Sequence, residues 1–409
     1  MFVFPDEVTR DFAYGETDPL IRKCRLLPWK PVNLDDVSSE TSEPPDEYYL
    51  TIARENQEQI PAEIQPSAYA PDQVFKVYSE LSQVSKNLTH SRFELTEDRD
   101  QADVLWAYGH IKDYRRLSEQ RPHLLLNQFP CEHLLTVKDC LSSVSRRLQR
   151  HLLPLTFNLQ TELPCFISCY QERERRGEDN HWIMKPWNLA RGLDTHISNN
   201  LNFIIRQRES TPKVVCKYIQ DPVLFLVDHV GLVKFDLRFM VLLRSVRPLK
   251  LYVYNVFWLR FANREFSLDH FDDYEKHFTV MNYTEGATLT QIHYDEFIPM
   301  FEQQYPQHPW RNIQSSCFQS FRDLFSASSS RPAPFGLHPY PSSRAIYAID
   351  LMLSWTHGPT GERQMEPQIL EVNFSPDCDR ACRYHQHFYN HVFQTLVLDQ
   401  PQDCPVTEI

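Results

Sequence analysis

Glycine is scarce in this chain: nine occur in 409 residues, where the usual frequency of about 7% would supply about 29. A glycine-rich phosphate loop is therefore poorly supplied, and neither a GxxxxGKS/T nor a GxGxxG string occurs. P-loop and Rossmann readings lose the backbone amides that cradle phosphate. A nucleotide, if bound, is held by another kind of fold. Long hydrophobic runs are missing as well. No segment approaches the eighteen consecutive apolar residues of a membrane-spanning helix. The opening Met1-Phe2-Val3-Phe4-Pro5-Asp6-Glu7 lacks the basic start and apolar core of a secretion signal, so none is expected. The ten cysteines are spread at low density, without the framework of a small secreted domain, which fits reduced thiols in a cytosolic compartment. Nor is there an excess of basic charge. Forty-two basic against fifty-four acidic residues give a net charge of −12, which argues against a globally basic nucleic-acid binder and leaves room for a local basic groove.

A chain of this length buries a substantial core, as two or three domains or as one multi-lobed catalytic unit. Residues 33–48 combine Asp, Glu, Ser and two adjacent prolines, a composition that reads as a linker or acidic surface loop. Residues 1–32 are too short for a domain. They either cap the main body or are the remainder of a preceding domain. The spacing of Val74, Val77, Tyr78, Leu81, Val84 and Leu88 predicts an amphipathic helix. Strands follow near 102–108 and 124–130, then a helix with Thr136 as N-cap. The charged run 171–180 reads as a mobile surface loop, and 181–186 as a short strand ending near Lys185.

The polar groups in strand-like segments carry the functional argument. In residues 368–376, period-2 alternation puts Glu371 and Asn373 on one face, while Ile369, Leu370 and Val372 supply strand character. Residues 345–352 read as a second strand and 357–363 as the loop between them. Folded back antiparallel, the pair brings Asp350 beside Glu371 and Asn373. Two carboxylates and an amide oxygen suit a hard cation such as Mg²⁺, although a hairpin with solvated polar residues has the same pattern. In residues 234–240, Lys234, Asp236 and Arg238 alternate with Phe235, Leu237 and Phe239. This describes either a strand lining a polyanion pocket or a solvated salt-bridge ladder. Residues 214–219 read as a strand carrying Lys217, and 251–260 as one ending at Arg260, whose guanidinium suits phosphate or carboxylate and equally suits the surface. Cys378, Cys382, His385 and His387 are close enough to suggest zinc, but the Cys-x3-Cys lacks a matching second half and the segment reads as a helix start.

Lys185-Pro186, Arg191-Gly192, Lys217-Tyr218-Ile219, Lys234-Phe235-Asp236-Leu237-Arg238, Asp350 and Leu370-Glu371-Val372-Asn373 occur in an order that resembles the tubulin-tyrosine ligase-like family over residues 67–395. The resemblance implies an α+β, ATP-grasp fold with antiparallel sheets, flanking helices and a smaller N-terminal α/β lobe. It divides the chain into an N-terminal segment with an acidic, proline-rich linker (1–66), the α/β lobe (67–160), and the central and C-terminal ATP-grasp lobes (161–409). It implies ATP-dependent ligation of an amino acid to a tubulin tail through an acyl-phosphate. Carried over residue by residue, Lys185, Arg191, Gly192 and Lys217 meet the nucleotide, Tyr218 and Ile219 lie along the adenine edge, and Lys234 and Asp236 complete the nucleotide contacts. Arg238 and Arg260 steady the transferred phosphate or a substrate carboxylate, and Asp350, Glu371 and Asn373 hold Mg²⁺.

Departures from the family pattern qualify this. The phosphate-covering loop of the family carries a second glycine two residues beyond Arg-Gly, where this chain has Asp194. Like charges about 4 Å apart at an effective dielectric near 20 repel by roughly 4 kcal/mol, so Asp194 is expected to oppose ATP or to swing away. Cys216 stands where a glutamine is common, and Asn255-Val256-Phe257 where tyrosine ligase has Arg-Glu-Gly. The expectation is a protein that binds Mg-ATP and acidic tubulin tails and regulates tyrosination with weak or no ligase activity. An active amino-acid ligase and a non-catalytic scaffold are the alternatives. The expected place is the cytoplasm, with microtubule or centrosome association, and a nuclear presence stays open.

Overall fold

The computed structural model describes residues 3–4, 7–8, 10–62, 68–187, 192–279, 291–358 and 360–409. Its largest element is a seven-stranded sheet built round the strand Gly231–Val246, which pairs antiparallel with Ala345–His357 on one side and with Leu249–Tyr254 on the other. Arg363–Phe374 extends the sheet beyond Ala345–His357, Val406–Glu408 closes the other edge, and Leu224–Val227 and Trp258–Phe261 also pair with the central strand. Antiparallel pairing lets one face go to the core and the other to the site. Phe235, Leu237 and Phe239 are completely buried in the core, beneath the helix Trp310–Ser329. That helix contributes Trp310, Ile313, Cys317, Phe321 and Leu324, spaced three or four apart so that one stripe faces the sheet.

The 345–374 hairpin forms as the alternation predicts, with Asp350 opposite Glu371. One irregularity matters. The next pair is Leu351 with Ile369, so Leu370 is an extra residue on its strand, a β-bulge. Before the bulge Met365, Pro367 and Ile369 are buried; after it the buried residue is Val372. The odd-numbered side chains that point to the core before Leu370 point away from it afterwards, which turns Glu371 and Asn373 toward the site.

A second antiparallel sheet runs Thr156–Asn158, Lys213–Lys217, Trp182–Pro186, His196–Ser198. It packs Phe157, Trp182, Met184 and Val215 on the helix Leu163–Arg175. A third, parallel sheet runs Phe93–Leu95, Phe75–Ser79, Val104–Trp106, Leu125–Leu126. Mixed helices with mainly antiparallel sheets make the fold α+β. Among the described residues no helix is long and apolar enough to cross a membrane.

Several local readings change. The segment 74–88 is not one helix: Phe75–Ser79 is a strand and only Ser82–Asn87 is helical. Phe75 and Val77 are buried between two parallel neighbours, and that pairing overrides a spacing compatible with either period. The charged run 171–180 is not a loop throughout, because the helix Leu163–Arg175 continues into it. Val137, not Thr136, precedes the helix Lys138–Ser145; the Thr136 hydroxyl donates backward to the Glu132 carbonyl. The run 251–260 is two strands, broken at residues 255–257. Residues 33–48 are docked: Leu34 is buried, Glu43 is paired with Arg147 at 2.8 Å and Arg331 at 3.1 Å, and the helix Asp46–Asn56 begins within the stretch. Upstream, the helix Pro19–Leu26 starts on Asp18, whose carboxylate accepts from the amides of Leu20 and Ile21. Its Cys24, with Leu27, joins the core of the second sheet, so these residues cap the body.

Candidate nucleotide site

Between the second sheet and the site face of the large sheet lies a cleft of about 1130 Å³, counting space open to solvent. One wall comes from Ile183, Lys185, Gly192, Thr195 and residues 216–219, the other from Lys234, Asp236, Arg260, Asp350, Met352 and residues 369–371. Elements more than a hundred residues apart thus deliver Lys185, Gly192, Lys217, Tyr218, Ile219, Lys234, Asp236, Arg260, Asp350 and Glu371 to one space. Arg238 and Asn373 stand beside it. Arg191 lies outside the described residues.

At the centre is an alternating network of two carboxylates and two guanidiniums. Arg238 donates to Asp350 from Nε and Nη2, both at 2.7 Å. Arg260 donates from Nε to Asp236 at 2.8 Å and from Nη2 to Asp350 at 2.8 Å. The Thr279 hydroxyl donates to Oδ2 of Asp236, which also accepts from Arg260 at 2.8 Å. Register explains the arrangement, because Asp236 opposes Arg260 and Arg238 opposes Asp350 on adjacent antiparallel strands. Both carboxylates are 1% exposed, and burying them is tolerable only because they are paired. Burial works to raise Asp350, but the charge of Arg260 and the bonds from Arg238 outweigh it and hold its pKa at about 2. Asp236 shifts the other way: burial dominates, and the neighbouring Asp350 adds to it.

Lysines surround this network. Lys234 Nζ donates to the Tyr218 hydroxyl at 2.9 Å. The ring of His277 donates from Nε2 to the Asp269 carbonyl at 2.8 Å, so its Nδ1 accepts from Tyr218, 2.8 Å away. Burial, followed by the charge of Lys185, lowers the Lys234 pKa to about 7. Lys217 is paired with Asp179 and donates to the His181 carbonyl at 3.0 Å; burial lowers its pKa despite Asp179. Lys138 Nζ lies 3.4 Å from Glu371.

For a divalent cation, the available oxygens are those of Glu371 and of the Asn373 amide, whose Nδ2 donates to Glu371 Oε1 at 3.2 Å and so leaves its oxygen for a ligand, while both oxygens of Asp350 already accept from Arg238 and Arg260 and reach a cation only by giving up one of these bonds. Among the described residues no group of three or more His, Cys, Asp and Glu is arranged to hold a metal alone. Two carboxylates completed by phosphate oxygens suit Mg²⁺, which is usually held that way. Cys378 and Cys382 are buried free thiols on either side of the start of the helix Asp379–Tyr384.

Asp194 does not line the cleft. It is turned to Lys213, whose Nζ donates to it at 2.9 Å, so the expected charge beside ATP is neutralised where it stands. A lysine with a fully buried side chain requires an anion, and Asp194 supplies it. Of the altered residues 255–257, Val256 and Phe257 are buried in the apolar cores, and Asn255 accepts from Thr407. Asp179, His277, Thr279 and Lys138 were not legible as site residues. They come from three segments, with His277 and Thr279 sharing one, that have no strand alternation to mark them, and Asp179 lies in the charged run 171–180.

The tubulin-tyrosine ligase family model matches residues 116–408, and the tubulin tyrosine ligase SET-like domain model matches residues 3–33. The chain is 61% identical over 406 residues to tubulin-tyrosine ligase-like protein 12 of Homo sapiens, covering 98% of this chain and 63% of that protein. Against the Mus musculus protein of that name identity is 60% over 408 residues, covering 99% and 64%. Against tubulin polyglutamylase TTLL5 of Homo sapiens it is 32% over 182 residues, covering 42% and 13%. The chain therefore spans less than two thirds of the length of the first two relatives. With its antiparallel sheets, its cleft and this match over most of its length, the chain belongs to the tubulin-tyrosine ligase family and has its α+β, ATP-grasp-like fold.

Proposed function

We propose that the cleft binds Mg-ATP, that the protein engages acidic tubulin tails, and that it regulates tubulin tyrosination with weak or no amino-acid transfer. The observation carrying the nucleotide part is the convergence of Lys185, Lys217 and Lys234 with Asp350 and Glu371 on one cleft, the combination that neutralises phosphate charge in phosphoryl-transfer sites. Lys185, Arg191, Gly192, Lys217, Tyr218, Ile219, Lys234 and Asp236 are the nucleotide contacts in this reading. Asp350, Glu371 and Asn373 hold the cation, which would screen the phosphates. Arg238 and Arg260 orient Asp350 and face the transferred group.

Weak transfer is supported by the acceptor side, where Val256 and Phe257 are packed into apolar cores in place of a charge pair. The printed names of the relatives include tubulin, which supports tubulin as the partner here; in this reading the place of action is the cytoplasm, with microtubule or centrosome association. The test is incubation of the protein with tubulin, ATP, Mg²⁺ and labelled tyrosine, glutamate or glycine. Nucleotide binding without label on tubulin is expected; robust incorporation would sink the regulatory reading.

A second reading, a competent ligase with an unusual acceptor, is favoured by the presence of Asp350, Glu371 and Asn373. It requires ATP turnover that Glu371→Gln abolishes. A scaffold that never binds nucleotide is excluded by Mg-dependent ATP binding that is lost in Lys185→Ala.

A further inference from the structure

Residues 192–195 form a tight turn, the cover, at one wall of the cleft, which Gly192 and Thr195 line. Gly192 has φ +68° and Asp194 φ +51°, so the backbone turns twice through the left-handed region. Glycine does this freely and aspartate at a cost. Such a conformation persists in a non-glycine residue only when its surroundings over-determine it, and here they do. The Asp194 carboxylate accepts from Lys213 Nζ at 2.9 Å and from the Thr211 hydroxyl at 2.9 Å, and lies 3.2 Å from His196 Nε2. Lys213 is itself held by the Gln207 amide oxygen at 2.7 Å. One residue on, the Thr195 carbonyl accepts from the Tyr274 hydroxyl at 3.1 Å. The cover is thus tied on one side to the second sheet and on the other to the segment that carries His277 and Thr279.

We propose that Asp194 and Lys213 form a latch that fixes the cover over the cleft, making Asp194 a positioning residue for nucleotide and not a charge that repels it. The functional half rests on the reading of the cleft as a nucleotide site. The mechanical half does not. A glycine at position 194 would remove the backbone cost together with the anchor, so the aspartate ties down a turn that glycine would leave untied. The pairing also places the side-chain charge away from the cleft, because the buried ammonium of Lys213 lies behind the cover.

The test uses the full chain and two measurements. In nucleotide-free protein, hydrogen exchange of the amides in residues 192–198 should rise about tenfold or more in Asp194→Ala and Asp194→Gly and less in Asp194→Asn, with the 231–246 strand unchanged. Unchanged exchange in 192–198 overturns the latch. In an ATP titration with Mg²⁺, run below the melting transition of the variant, Asp194→Ala should bind about five- to tenfold more weakly than wild type, although loss of the anion beside the buried Lys213 lowers its melting temperature. Tighter binding would mean that Asp194 repels nucleotide and overturns the positioning role. If the wild-type chain binds no ATP, the nucleotide reading fails by itself, and the exchange result still decides whether the latch exists. Lys213→Met should reproduce the exchange phenotype, and the Asp194 variants, which alter a part-exposed side chain, stand if it does not fold.

Discussion

The two faces of the strand Gly231–Val246 make an instructive pair. Phe235, Leu237 and Phe239 on one face are as buried as Lys234 and Asp236 on the other, yet they are held by different physics. The apolar face needs only volume and shape, and packs nonspecifically strong contacts against the helix Trp310–Ser329. The charged face needs stoichiometry, since each carboxylate must meet a guanidinium on a neighbouring strand. Burial on both sides makes the strand rigid, but only the charged side is poised to exchange partners with a ligand.

The comparison can be broken most forcefully at Asp350. Its replacement by alanine leaves Arg238 and Arg260 short of a buried anion, a change that costs about 3–5 kcal/mol, and should remove Mg-dependent nucleotide binding. Chemical denaturation and titration read the two losses together. Phe239→Ala should lower stability by a comparable or smaller amount, about 3 kcal/mol for a truncated buried aromatic. Under conditions where the variant is folded, its nucleotide affinity should stay within about twofold of wild type, and a larger loss would show that the faces are not separable.

Lys234 gives a finer distinction, because pH acts oppositely on its two roles. With a folded-state pKa near 7 against 10.5 for the ordinary group, the unfolded chain holds a proton that the folded chain has released throughout that window. Stability from this residue therefore rises with pH between about 7 and 10.5. Phosphate binding wants the charged form, so ATP affinity should fall as pH rises above 7, by up to about tenfold per unit. Lys234→Arg, which stays charged, should flatten the affinity profile. The smallest expected effect is Thr279→Val, which removes one hydrogen bond to Asp236 and should cost about 1 kcal/mol in a denaturation curve.

Much of this was legible from alternation. The phase of Lys234, Asp236 and Arg238 against Phe235, Leu237 and Phe239 identified both faces, and the Asp350–Glu371 juxtaposition followed from folding two alternating runs against each other. Legibility stopped where structure depends on what lies across the chain. Val77 and Tyr78 satisfy a helical spacing and lie in a strand because two parallel neighbours are available. Asp194 looked hostile to nucleotide because nothing in its local sequence announced Lys213, nineteen positions away. Asp179, His277 and Thr279 acquire meaning only through Lys217, Tyr218 and Asp236.

The single extra residue at Leu370 carries a consequence for how this hairpin tolerates change in length. It works as a parity switch between two reading phases of the same strand. Deleting it would set Ile369 and Glu371 in continuous register against Leu351 and Asp350, with Glu371 and Asn373 still facing the site and Val372 the core. Inserting one more residue between 370 and 371 would instead turn Glu371 and Asn373 inward and Val372 outward, because a single bulge takes up only one extra residue. Variation in this family should therefore tolerate the loss of residue 370 better than the gain of a neighbour beside it.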